Sequence, residues 1–137
     1  MKNNRDDFSS VIKDVLAKRV GYLCSNCRQP TAGANEILNK ASSIGIAAHI
    51  TAAAPGGPRY NSLLIPEERN DISNGIWLCS NCAALVDKDP LKYSVDILYE
   101  WKLTAEEESR QKLNRKFKDS SIRVAKKANP VLEADLL

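Results

Sequence analysis

Apolar residues recur at helical spacing through Phe8, Val11, Ile12, Val15, Leu16 and Val20, which predicts an amphipathic helix over residues 8–20. Asp6 and Asp7 precede it, where the positive end of a helix dipole favours carboxylates, and Gly21 stands at its end. The pattern then lapses. Residues 31–43 are rich in Gly, Ala, Asn and Ser and predict a loop, whereas Ile44-Gly45-Ile46-Ala47-Ala48-His49-Ile50 is short and apolar and predicts a strand. Ala54-Pro55-Gly56-Gly57-Pro58-Arg59-Tyr60 cannot continue a regular element and reads as an irregular loop. Pro66-Glu67-Glu68-Arg69 opens a short helix, Asn74-Gly75 a turn, Gly75-Ile76-Trp77-Leu78 a second strand, and residues 83–88 a second helical run. Ser94 then caps a helix whose apolar face is Val95, Ile97, Leu98, Trp101 and Ala105. The stripe fades over residues 106–112 and returns only at Leu113 and Phe117, before linker-like Asp119-Ser120-Ser121 and Ala128-Asn129-Pro130. The reading is an α+β fold in which strand, connection, strand and helix form one unit.

Length and charge narrow this picture. At 137 residues, 43% hydrophobic and 27% charged, the chain suits one soluble domain, and no apolar run approaches a membrane span. The N-terminal residues lack the apolar core of a signal peptide, so the expected location is the cytoplasm. The net charge of +3 is unevenly spread: Arg110, Lys112, Arg115, Lys116, Lys118, Arg123, Lys126 and Lys127 cluster against Asp119 alone. Such a stretch suits a polyanion, with Lys112, Arg115 and Lys116 as candidate nucleic-acid contacts; a solvated helix face is the competing reading.

The four cysteines carry more chemistry. Cys24-Ser25-Asn26-Cys27 and Cys79-Ser80-Asn81-Cys82 are matched Cys-x-x-Cys turns, each preceded by Leu, and the chain has no other cysteine. Two such turns present four thiolates, the donor set of a tetrahedral structural zinc site. Disulfides and a redox dithiol compete with zinc, but nothing suggests export and the near-identical copies favour a shared metal.

The order Ala48-His49-Ile50, then Asn74-Gly75-Ile76-Trp77-Leu78-Cys79-Ser80-Asn81-Cys82-Ala83, resembles an HNH endonuclease, the zinc-stapled branch of the ββα-metal nucleases. The run from Ala47 through Pro55-Gly56-Gly57-Pro58-Arg59-Tyr60 to Asp87 is similar to HNH modules of bacterial antiphage effectors, including those fused to a cyclic-nucleotide sensor in CBASS systems. The resemblance covers roughly residues 20–102. It implies a ββα-metal nuclease module with a four-cysteine zinc site and flanking helices; with the N-terminal helix this module is expected over residues 1–105, and the lapse of the apolar stripe sets off a basic helical extension or linker over 106–137.

That resemblance implies metal-dependent hydrolysis of DNA. Cleaving a phosphodiester needs a base for the attacking water, positive charge against the transition state and a fixed line of attack. The resemblance gives His49 the role of base and Asn74, the middle residue of the motif, that of tying the turn to the base-bearing strand. Asp87 is the candidate ligand for a catalytic divalent metal, magnesium or manganese and alternatively nickel. Arg59 is a candidate phosphate ligand, and Tyr60 a stacking or backbone contact. The chain departs from the family at Ala48 and Ala83, where metal ligands are usual. The alternatives are a catalytically weak or inactive zinc-dependent nucleic-acid-binding module and a structural zinc adaptor. DNA is the expected partner, with a cyclic-nucleotide sensor or other activator possible in a larger assembly or oligomer.

Overall fold

The computed structural model describes residues 7–113. Helix α1 (Ser10–Arg19) starts where Ser9 Oγ accepts the Ile12 N–H at 3.2 Å. Ser9 and not an acidic residue is its cap. It stops because Gly21 and Tyr22 turn left-handed and the Tyr22 N–H returns to Ala17 O at 2.8 Å. Leu16, Ala17 and Val20 form its buried face.

The segment expected as a loop, residues 31–43, contains a small antiparallel hairpin, β1 (Ala32–Ala34) with β2 (Ala41–Ser43), in the register Ala32↔Ser43, Gly33↔Ser42 and Ala34↔Ala41. Every residue of both strands is exposed. Backbone hydrogen bonds hold them, so no alternation of apolar and polar side chains marked them in the sequence.

β3 (Gly45–His49) and β4 (Gly75–Cys79) form the second sheet, antiparallel, with Gly45↔Cys79, Ala47↔Trp77 and His49↔Gly75 opposite one another. β4 is buried along its whole length. A short helix α2 (Pro66–Arg69) and a 3₁₀ turn (Ile72–Asn74) lead into it, and helix α3 (Ser80–Lys88) follows without a break. α3 begins three residues earlier than predicted because Cys79 Sγ, at its N-cap, accepts the Cys82 N–H at 3.3 Å.

Helix α4 (Val95–Leu113) starts at Ser94, whose hydroxyl accepts the Ile97 N–H. It continues unbroken across residues 105 and 106, where the fading stripe placed a boundary. The stripe fades because Glu106 is buried by paired charge and most of the residues that follow it are exposed to solvent. Glu106 receives two hydrogen bonds from Arg19 of α1, at 2.9 and 2.8 Å, and pairs with Lys102 at 3.4 Å. Buried Lys102 donates to Gly75 O at 2.6 Å and toward Ile72 O at 3.5 Å, so α4 grips the turn that carries Asn74. Burial pulls the Lys102 pKa down against the opposing pull of Glu106, while the Arg19 hydrogen bonds hold Glu106 below the usual carboxylate range. A depressed carboxylate contributes stability above its unfolded pKa and loses it as pH falls through the folded one.

Two apolar clusters flank the β3–β4 sheet. One joins Ile50, Ile76, Leu78, Val86 and Leu98, with Trp101 packed on it partly buried; the other joins Leu16, Ala17, Val20, Trp77 and Ala105. Among the described residues no helix is long and apolar enough to cross a membrane. Trp77 also explains Gly45, since a Cβ there would lie 2.0 Å from the indole Cζ2. The indole is pinned by its Nε1–H, which donates to Thr31 Oγ1 at 2.9 Å. Gly45→Ala is therefore expected to destabilise the protein by about 1–3 kcal/mol, the usual cost of overpacking, read as a lower denaturant midpoint at unchanged slope.

Candidate functional site

Four sulfurs form the first feature. The Sγ atoms of Cys24, Cys27, Cys79 and Cys82 all lie within 4.8 Å of one another, and Cys27 and Cys79 are 3.9 Å apart. A tetrahedral zinc with bonds of about 2.3 Å would space its sulfurs roughly 3.8 Å apart, whereas a disulfide requires about 2.05 Å. The set fits zinc, and all four thiols are free. The first turn is brought to the second by the Ser25 N–H, which donates to Trp77 O at 2.9 Å. N–H groups also point at the sulfurs: Asn26 N donates to Cys24 Sγ at 3.4 Å and Asn26 Nδ2 to Cys82 Sγ at 3.5 Å.

These surroundings divide the thiols. Burial opposes charge on Cys24, but the backbone N–H groups of Cys79, Cys27 and Asn26 overcome it and bring its pKa down to about 7. Burial pushes Cys82 up to about 12, reinforced by the Cys79 and Cys24 sulfurs and only partly offset by Asn26. Cys24 thus loses its proton more readily than Cys82, which needs the metal's charge to do so, and zinc binding must release protons.

The second feature is a cleft of about 840 Å³ beside β3, lined by His49, Ala48, the loop 52–58, Trp77, and Ala83 and Asp87 of α3, with Asp7 and Lys13 at the entry of α1. His49, the last residue of β3, is 9% exposed and stacks on Phe8, ring centroids 4.0 Å apart and planes inclined by 12°. Asn74 is buried and holds the chain just past His49: its Oδ1 accepts the Thr51 N–H at 2.9 Å, and its Nδ2 donates to Thr51 O at 2.9 Å and Arg69 O at 2.8 Å. These bonds tie the turn before β4 to the end of the histidine-bearing strand.

Arg59, the candidate phosphate contact, points inward. Its side chain is 4% exposed, with Nε donating to Ile50 O at 2.7 Å, Nη1 to Val86 O at 2.9 Å and Tyr93 O at 3.3 Å, and Nη2 to Asp87 Oδ1 at 3.0 Å. The guanidinium binds β3's exit to the end of α3. Arg59 itself is left-handed, at φ 56°, which turns it inward from the Gly-Gly-Pro loop. Tyr60 likewise accepts from Arg69 Nη2 at 2.9 Å through its hydroxyl, and the Arg69 guanidinium lies over its ring. Lys112 is exposed on α4 and lines a smaller groove of about 280 Å³ next to Cys24 and Arg28, apart from the His49 cleft. Arg115 and Lys116 lie outside the described residues.

A catalytic cation is less well served than zinc. Among the described residues the four cysteines are the one group in which three or more His, Cys, Asp or Glu side chains converge on a metal-sized space. Asp87, 51% exposed, shares the cleft with His49 but its Oδ1 is bonded to Arg59. One such carboxylate does not fit a cation site built by protein alone. Phe8, Lys13 and Lys102 were not singled out by the sequence, where Phe8 reads as one member of an apolar stripe and the two lysines as surface charges. The chain matches no model of a known protein family, and no curated protein is significantly similar to it.

Two outcomes test this geometry. Zinc should be lost cooperatively as pH falls below about 6, because protons compete for thiolates that the metal must hold, and Cys79→Ser should abolish both zinc content and the thermal transition. Arg59→Met should cost about 2–4 kcal/mol by orphaning buried carbonyls, read as a lowered melting temperature.

Proposed function

We propose that the chain is a ββα-metal nuclease module that hydrolyses DNA phosphodiester bonds, its catalytic base being His49. The observation that carries this reading is the strand–strand–helix unit β3–β4–α3, in which His49 and Asp87 line one cleft and the Asn74 amide clamps the chain beside the histidine. An imidazole has an ordinary pKa near 6.5 and accepts a proton at neutral pH. Here it would take a proton from water as the water oxygen bonds to phosphorus and the opposite P–O bond breaks, the leaving oxygen being protonated from solvent. Asn74 contributes by fixing the backbone at Thr51, which holds the base in line. The resemblance to antiphage effectors supplies the setting, with foreign DNA as substrate.

The Ala48 and Ala83 walls and the Arg59–Asp87 pair favour a second reading, a zinc-scaffolded module that binds nucleic acid without cutting it. Plasmid cleavage by the zinc-loaded protein, with magnesium, manganese or nickel titrated in, separates the two. We expect His49→Ala to keep the fold and DNA binding while lowering cleavage by about 10²–10⁴, the usual loss for a general base. Cleavage by the variant at the wild-type rate would remove His49 from the chemistry. DNA binding by the wild type without cleavage under any of the three ions would favour the binding module. Ala83→His should move half-maximal cleavage to lower manganese or nickel concentrations, because imidazole suits those ions and position 83 faces the same cleft as Asp87. Coincident titration curves would mean that position 83 is not beside the catalytic ion.

A further inference from the structure

Residues directly opposite in an antiparallel pair project their side chains on the same face, so the neighbour of His49 across the sheet should be the side chain of residue 75. Residue 75 is glycine. A Cβ there would meet Leu16 Cδ1 at 2.5 Å and Phe8 Cζ at 3.2 Å, so the place of a cross-strand side chain is taken by two residues of the N-terminal segment. Phe8 is 4% exposed, and its ring lies face to face with the imidazole at 4.0 Å. Ser9 caps α1 immediately after it, which fixes where the phenyl ring enters. The Asn-Gly pair thus does two jobs: Asn74 holds the backbone beyond His49, and Gly75 opens the slot through which Phe8 reaches its ring.

We propose that Phe8 is a positioning residue for His49, a flat wall that restricts the imidazole to the plane in which its edge meets substrate in the cleft. This rests on the nuclease reading above. A stacked ring fits this task because it contacts the whole imidazole face while leaving the ring edges, where the nitrogens lie, open to the cleft or to hydrogen bonding. An aliphatic side chain of similar polarity would fill the slot and keep the core dry without fixing the plane.

His49 is the one histidine of the chain, so its imidazole resonances can be read without assignment ambiguity. In the zinc-loaded wild-type chain, the imidazole C–H protons are expected upfield of ordinary histidine positions, with through-space cross-peaks to the Phe8 ring. In Phe8→Leu they should return toward ordinary positions, and kcat for DNA cleavage should fall by about 10-fold or more with KM within roughly two-fold, since misplacing a base lowers the chemical step and not binding. Gly75→Ala, which pushes on Phe8 and Leu16, should shift the same resonances. Wild-type imidazole resonances without the upfield displacement and cross-peaks would overturn the stacking, whether or not the variants fold. A folded Phe8→Leu with kcat within two-fold of wild type would overturn the positioning role. If the wild type cleaves no DNA, the nuclease reading fails by itself, while the resonances still decide whether Phe8 holds the ring.

Discussion

The return of the chain to its first Cys-x-x-Cys turn governs the rest of the molecule, because the second pair of sulfurs can reach the first only if β4 ends at a defined residue and α3 begins on the next. Cys79 closes β4 and its sulfur caps α3, while Ser25 of the first turn bonds to Trp77 of β4. With Cys79 fixed, Gly45 lies opposite it and His49 falls opposite Gly75. His49 is thus set four residues, about 13 Å, along the sheet from the sulfurs. A slip of one residue would turn the imidazole to the other face of the sheet. A metal that holds the four thiols together would therefore act on the His49 cleft at a distance, by fixing register.

The parts of this design that were legible in the sequence are those with a periodic or spaced signature. The Cys-x-x-Cys pairs, the apolar runs of β3 and β4 and the face of α4 stand where residue spacing put them, whereas the predicted stripe of α1 holds only in part, with Leu16 and Val20 buried but Val11 and Val15 exposed. The β1–β2 hairpin was not legible, since its side chains are exposed and small and its pairing is purely backbone. From Glu106 on, the sequence left a helical extension and a linker as alternatives. At Glu106 an ion network with buried Lys102 and half-exposed Arg19 replaces apolar contact, and the partners are four and 87 residues away in sequence. Hydropathy patterns register burial of apolar atoms and are blind to burial of paired charge.

The site shows the same limit from the opposite side. An arginine in a Pro-Gly-rich loop is read as a hand for phosphate, because loops are exposed and guanidinium suits phosphate. Here the loop folds back, and Arg59 instead satisfies carbonyls of Ile50, Val86 and Tyr93 that no regular element serves. Residue type alone could not separate the two uses, since both exploit the same fork of donors. Asn74 was easier, because its partner is local: the backbone at Thr51 is what a side-chain amide before a strand can reach when two strands end side by side.

The Arg59–Asp87 contact also constrains what the cleft can hold. A cation approaching Asp87 meets a carboxylate that already has a guanidinium 3.0 Å from Oδ1. Two like unit charges about 4 Å apart repel by about 4 kcal/mol at an effective dielectric constant of 20, less where solvent screens them, and a divalent ion feels twice that. Neither Ala48 nor Ala83 offers a donor to compensate. A DNA phosphate in the same cleft changes the balance, because it brings the negative charge and oxygen ligands that the alanines lack, and a hard cation accepts phosphate oxygens and waters together. On the nuclease reading, ion and substrate would therefore favour each other's binding, the free protein holding neither strongly. Such coupling would keep the module inactive on bare cation and make DNA itself the missing part of the metal site.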